Sequence, residues 1–113
     1  MDARLPASLE ATALMRQVQS DGGFATLMKK GDADRGALLL VVRSRDRHFA
    51  CLERVLSMDG GYKWQPSGPG ESADELELAE FLQKRGRFDE DLWIIELDIA
   101  QPERFIAETT ASG

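Results

Sequence analysis

Apolar residues recur at helical spacing between Pro6 and Ser20, where Ala7, Ala11, Leu14, Met15 and Val18 share one face. Pro6 suits a first turn and Gly22-Gly23 can supply a left-handed stop, so the pattern predicts a helix with one face on a sheet. The period then changes. Phe24 to Lys30 and Ala37 to Arg45 read as strands, joined through the turn-rich Gly31-Asp-Ala-Asp-Arg-Gly36 into a predicted hairpin. Ala37-Leu-Leu-Leu-Val-Val42 is apolar on both faces, the pattern of a central strand covered on each side. His48 to Ser57 and Gly61 to Gln65 supply a third and a fourth strand around the Asp59-Gly60-Gly61 turn.

Pro66-Ser-Gly-Pro-Gly70 stops that strand, and Ser72-Ala-Asp-Glu75 reads as a capping box opening a second helix near Ala73. This helix places Leu78, Phe81 and Leu82 on one face and ends around Lys84 to Gly86. Asp91 to Leu97 is the last strand. Arg104 to Glu108, after Pro102, is a short helical or extended piece, and the tail frays from about residue 109. The order predicts a single α+β domain over residues 1–113. Its sheet is antiparallel or mixed, of about five strands, with two helices packed mainly on one face.

Composition narrows the setting. With 113 residues, 42% hydrophobic and 30% charged, the chain can bury one core without disulfide or metal staples. No apolar run approaches the ~18 residues that cross a bilayer, and Met1 to Arg16 lacks the apolar stretch of a signal peptide. The single cysteine, Cys51, fits a reducing compartment. A cytoplasmic protein without a membrane partner is expected.

The net charge of −6 is unevenly placed: Met1 to Ser57 has nine Lys and Arg against seven Asp and Glu, the remainder five against thirteen. Such an acidic second half repels phosphate backbones, so no nucleic-acid partner is expected. Arg43, Arg45 and Arg47 alternate along one strand side, but Asp46 interrupts them and no aromatic series accompanies them for base stacking.

The reactive side chains do not converge. His48 and Cys51 stand three apart on one strand, which points them to opposite faces unless a bulge intervenes. Asp32 and Asp34 begin like a calcium loop, but Ala37 and Arg43 occupy the positions that need glycine and glutamate. Neither a metal site nor a cofactor is expected, and no catalytic residue is assigned.

Two constellations remain. Lys63-Trp-Gln-Pro-Ser-Gly-Pro-Gly-Glu-Ser72 and the helix to Gly86 resemble a shortened Nudix box, with Glu71 and Glu80 at motif positions. The resemblance implies nucleotide binding or phosphohydrolysis through magnesium. However, Ala79, Gln83 and Lys84 replace the arginine and the glutamate pair, and a lysine repels the cation. Alternatively, Tyr62 and Trp64 share one strand face and offer a contact for a homodimer or another protein. Asp89, Asp91 and Trp93, with Trp64, are the further candidate binding residues.

Two segments carry a wider likeness: Gly23-Phe-Ala-Thr-Leu-Met-Lys-Lys-Gly-Asp-Ala-Asp-Arg-Gly-Ala-Leu-Leu-Leu40 and Arg85-Gly-Arg-Phe-Asp-Glu-Asp-Leu-Trp-Ile-Ile-Glu-Leu97. With its glycine-aspartate turn and its Asp89, Asp91, Leu92 and Trp93, the chain resembles the alphaproteobacterial family known as domain of unknown function 1491. Phe88 and Glu90 depart from the family pattern and read as surface variation. The resemblance implies a bacterial cytoplasmic protein and supplies no catalytic residues. The sequence therefore favours a small non-enzymatic binding or interaction protein over the nucleotide-binding alternative.

Overall fold

The computed structural model describes residues 5–111. Helix α1 (Ala7–Ser20) leads into strands β1 (Phe24–Lys29), β2 (Leu38–Ser44), β3 (Arg47–Leu56) and β4 (Tyr62–Pro66). Helix α2 (Glu75–Phe88), strand β5 (Trp93–Asp98) and helix α3 (Pro102–Thr110) follow. The strands form one mixed sheet in the order β1-β5-β2-β3-β4, with β2 and β5 parallel at its centre.

Side-chain alternation divides the core into two layers. Leu38, Leu40, Val42, Leu52, Ile95 and Leu97 face one way and are covered by Ala7, Ala11 and Val18 of α1 and by Phe105 and Ile106 of α3. Leu39, Val41, Cys51 and Ile94 face the other way, against Leu78, Phe81 and Leu82 of α2. The expected two-helix, one-faced arrangement is corrected on both counts: three helices are present among the described residues and they cover both faces. The physical reason lies in β2 and β5, whose apolar residues on both sides require a cover on each. Pro102 at the first turn starts α3, which extends through the Arg104 to Glu108 segment to Thr110. Ser112 and Gly113, part of the tail expected to fray, lie outside the described residues.

The predicted β1–β2 hairpin does not form. Instead β5 inserts between the two strands, antiparallel to β1 and parallel to β2, and residues 31–36 cross over its beginning. The segment still turns as its aspartate dictates, with the Asp32 carboxylate accepting from the amides of Asp34 and Arg35 at 2.9 and 2.8 Å. A turn signal does not say whether its two strands pair directly or flank a third.

The capping box also moves by two residues. Asp74 is the N-cap, its carboxylate accepting from the Glu77 amide at 2.8 Å while Glu77 reaches back to the Asp74 amide at 3.4 Å. Asp74 to Glu77 has the same cap-x-x-Glu spacing as Ser72 to Glu75, and the helix starts at the second of the two overlapping matches. The β2–β3 connection is a two-residue turn with Arg45 and Asp46 at φ 51° and 66°, the left-handed pair that matches strand twist.

Candidate functional site

The glycine-aspartate turn and the Asp89–Trp93 segment, 50 and more residues apart in sequence, fold against each other. The Asp91 carbonyl oxygen accepts from the Asp32 amide at 3.0 Å. Glycines flank that oxygen on both sides: a Cβ at Gly31 would lie 2.0 Å from it, and one at Gly36 2.2 Å. Trp93 donates its indole N–H to the Asp32 carbonyl at 2.7 Å, and Lys29 Nζ donates to the carbonyls of Glu90 and Leu92 at 2.7 and 2.9 Å. The same turn then caps α1, since the Asp34 and Ala33 carbonyls accept from the amides of Ala7 and Ser8. Asp89 turns the chain out of α2, accepting from the Asp91 amide at 3.1 Å. The Asp91 side chain is exposed.

Trp64 and Trp93 do not share a pocket. Both pack into the layer beneath α1 and α3, but β2 and β3 separate their strands, which places the two backbones about 14 Å apart at ordinary strand spacing. Tyr62 and Trp64 lie together, as their alternation requires, with the Arg54 guanidinium 5.2 and 5.8 Å from their ring centres. Arg54 is also gripped by both carboxylate oxygens of Glu10 on α1.

Glu71 and Glu80 are likewise apart in role. Glu71 pairs with Arg47 at 3.0 Å in the loop before α2, whereas Glu80 sits on the exposed face of that helix. Arg43 pairs with Glu75 at 3.2 Å. A further link ties β3 to α2: Arg85 grips Glu53, which also accepts from Ser67 at 3.1 Å. Chiefly through the Arg85 hydrogen bonds, the Glu53 carboxyl is held below its ordinary value. No three His, Cys, Asp or Glu gather into a metal-binding group among the described residues.

The expectation that His48 and Cys51 face apart is corrected by a bulge. The β2–β3 register slips after Val42 pairs with Ala50, so that His48 stands opposite Arg43 and Cys51 opposite Val41, returning both to the α2 face. His48 is buried, and its Nε2 lies 2.9 Å from the Pro69 carbonyl; since a carbonyl only accepts, Nε2 carries the proton. Its Nδ1 has no hydrogen-bond partner among the described residues. Burial pushes the Cys51 thiol up to about 12, which keeps it protonated and unreactive at neutral pH.

A concavity lies elsewhere, between α1 and α3. This groove of about 410 Å³ has a floor of Leu14, Val18, Ile99 and Phe105, and Gly22 and Gly23 close one end. Asp21, Glu108 and Arg104 stand on its rim, where Arg104 already bonds Glu108 at 3.1 Å and Gln17 bonds Asp21 at 3.2 Å. Sequence reasoning missed it. The periodic Leu14 and Val18 were legible as a helix face, but the opposing wall belongs to α3, whose extent was not.

A family model described as "Protein of unknown function (DUF1491)" matches residues 5–107. The chain belongs to the DUF1491 family. A crystal structure of a DUF1491 protein from Caulobacter crescentus superimposes with a TM-score of 0.80 at 25% identity, covering 95% of this chain and 98% of that one. The solution structure of an Agrobacterium tumefaciens protein gives 0.70 at 29% identity, covering 86% and 87%. An NMR structure of a Caulobacter DUF1491 protein gives 0.76 at 28%, covering 96% and 97%. No functionally curated protein matches the chain. The two segments that carry the DUF1491 likeness are thus the two halves of the clasp around the Asp91 carbonyl, a structural role that the fold itself explains.

Proposed function

We propose that this protein is a non-enzymatic binding module of the bacterial cytoplasm, and that its recognition surface is the α1–α3 groove. The observation that carries this reading is the groove itself, an apolar floor under a carboxylate rim in a size range that suits ligands and anchor side chains. Its chemistry selects the occupant: a protein segment that inserts an apolar side chain and places a basic residue beside Asp21. The acidic second half of the chain adds a field that draws such segments in. Nothing comparable supports chemistry. Cys51 is protonated, His48 is committed to the Pro69 carbonyl, and the carboxylates of Glu53, Glu71 and Glu10 are occupied by arginines.

An amide-resolved NMR titration tests this reading. A peptide of alternating Leu and Lys should shift the amides of Gly22, Gly23 and Gln101, an otherwise identical Leu-Glu peptide should not, and Leu14→Lys should abolish the response. Shifts confined to Glu71–Glu80 on adding magnesium and a nucleoside diphosphate would replace this reading with the nucleotide alternative.

A further inference from the structure

Between β4 and α2, residues 67–74 form neither helix nor strand and are held to strand β3 by a short series of bonds. The Ser67 amide donates to the Cys51 carbonyl at 2.9 Å, and Ser67 Oγ to Glu53 at 3.1 Å. The Pro69 carbonyl accepts from His48 Nε2 at 2.9 Å, and Glu71 pairs with Arg47 at 3.0 Å. One of these contacts differs in kind. His48 is the only histidine of the chain and is 4% exposed, whereas Arg47 and Glu71 meet in solvent.

The buried ring is satisfied in a single protonation state. Neutral, with its proton on Nε2, it holds Pro69, while Nδ1 is shut off from solvent and has no hydrogen-bond partner among the described residues. A second proton must go to Nδ1, where it would place a buried N–H and a positive charge. The charged groups on the elements around it are already engaged. Arg43, opposite on β2, is itself positive and holds Glu75 of α2; Arg47 holds Glu71; Asp74 caps α2; and Glu53 is gripped by Arg85.

We infer that residues 67–74 form an acid-released strap: protonation of His48 drives its ring out to water, which frees Pro69 and lifts the segment off β3. Opening takes up one proton, so acid favours it, by at most about tenfold per pH unit. Histidine ordinarily changes charge between about pH 5 and 8, and carboxylates roughly two units lower, so His48 is the trigger and Glu71 is not. As Glu71 leaves Arg47, this end of the hairpin gains positive charge together with the ionised ring. The inference is independent of the groove reading.

Amide hydrogen exchange tests it in the intact chain. The Ser67 amide reports the strap, and the Leu40 amide, on a central strand, reports the sheet. Between about pH 7.5 and 5, the protection of Ser67 should fall about tenfold relative to that of Leu40. His48→Gln keeps an N–H donor for Pro69 but does not titrate, so its relative protection should stay level. Glu71→Gln should lower Ser67 protection at both ends of the range and leave the fall in place. Should His48→Gln fail to fold, the imidazole nitrogen shifts of the unaltered chain decide: Nε2 should carry the proton at the upper end, and the second proton should arrive over the interval in which Ser67 loses protection. Level Ser67 protection overturns the inference, whether or not the ring takes up that proton. So does a fall of the same size in His48→Gln, and so does a fall that Glu71→Gln abolishes, which would assign the trigger to the carboxylate.

Discussion

The indole N–H of Trp93 donates to the carbonyl oxygen of Asp32 at 2.7 Å. Since the carbonyls of the next two residues, Ala33 and Asp34, receive the first amides of α1, one side chain on the central strand steadies both a crossover turn and a helix start. Trp93→Phe keeps an aromatic ring but removes the donor and part of the buried indole. It should lower stability by about 1–2 kcal/mol in urea unfolding, the loss expected when a part-buried hydrogen bond goes unmade. Hydrogen exchange should quicken at Ser8 and Asp32. Gly31→Ala or Gly36→Ala, each colliding with the Asp91 carbonyl, should cost more than Gly70→Ala, where a Cβ meets open space.

At the end of α2 the carboxylate that matters is Asp89, because it accepts the Asp91 amide while the Asp91 side chain is exposed. Asp89→Ala should cost on the order of 1 kcal/mol, and Asp91→Ala should stay within about 0.5 kcal/mol of the parent. Equal losses by chemical denaturation would show that the turn draws on both.

These two residues also show how far the sequence could be read. Periodicity placed all five strands and two of the helices, because Leu38–Val42 and Trp93–Leu97 carry core residues in dense runs. It could not place β5 between β1 and β2. The amides and carbonyls that decide pairing are the same in every residue, and the crossing shows only as Gly31 and Gly36, which read as ordinary turn formers. The His48–Cys51 geometry was lost for a similar reason, since a bulge at Phe49 leaves no mark on composition. The groove escaped because its walls, α1 and α3, lie at opposite ends of the chain.

Cys51 predicts a pH effect with a definite sign. Its thiol is pushed up to about 12 in the folded chain, above the ordinary value of 9.0. Its contribution is therefore fully present below pH 9 and is lost as pH rises towards 12, because the unfolded thiol ionises first. Cys51→Ala should flatten the decline of stability between pH 9 and 12. Iodoacetamide at pH 8 should leave folded Cys51 unmodified and label it in urea. Rapid labelling of the folded protein would contradict the burial.

Glu53 works in the opposite direction. Held below 4.5 by Arg85, its carboxyl stabilises the fold above that value and loses this contribution as pH falls through its depressed value. Glu53→Gln should lower stability by about 1–3 kcal/mol at pH 7 and by less at pH 3, measured by thermal melts in both buffers. An equal loss at both values would mean that packing, and not ionisation, is what Glu53 supplies.

The place of β5 between β1 and β2 governs the order in which this protein can be made. A chain growing from its N-terminus completes β1 and β2 early, yet these strands are not neighbours: β1 waits for a partner 65 to 74 residues further on, and β2 for its second partner 55 residues on. Until Trp93–Asp98 has left the ribosome, the β2–β3–β4 meander can assemble, but β1 has no strand to join and both of its backbone edges stay unpaired. Such long-range closure makes folding slow for a chain of this length, and the nascent protein depends on its last strand to lock a sheet that its first strand began.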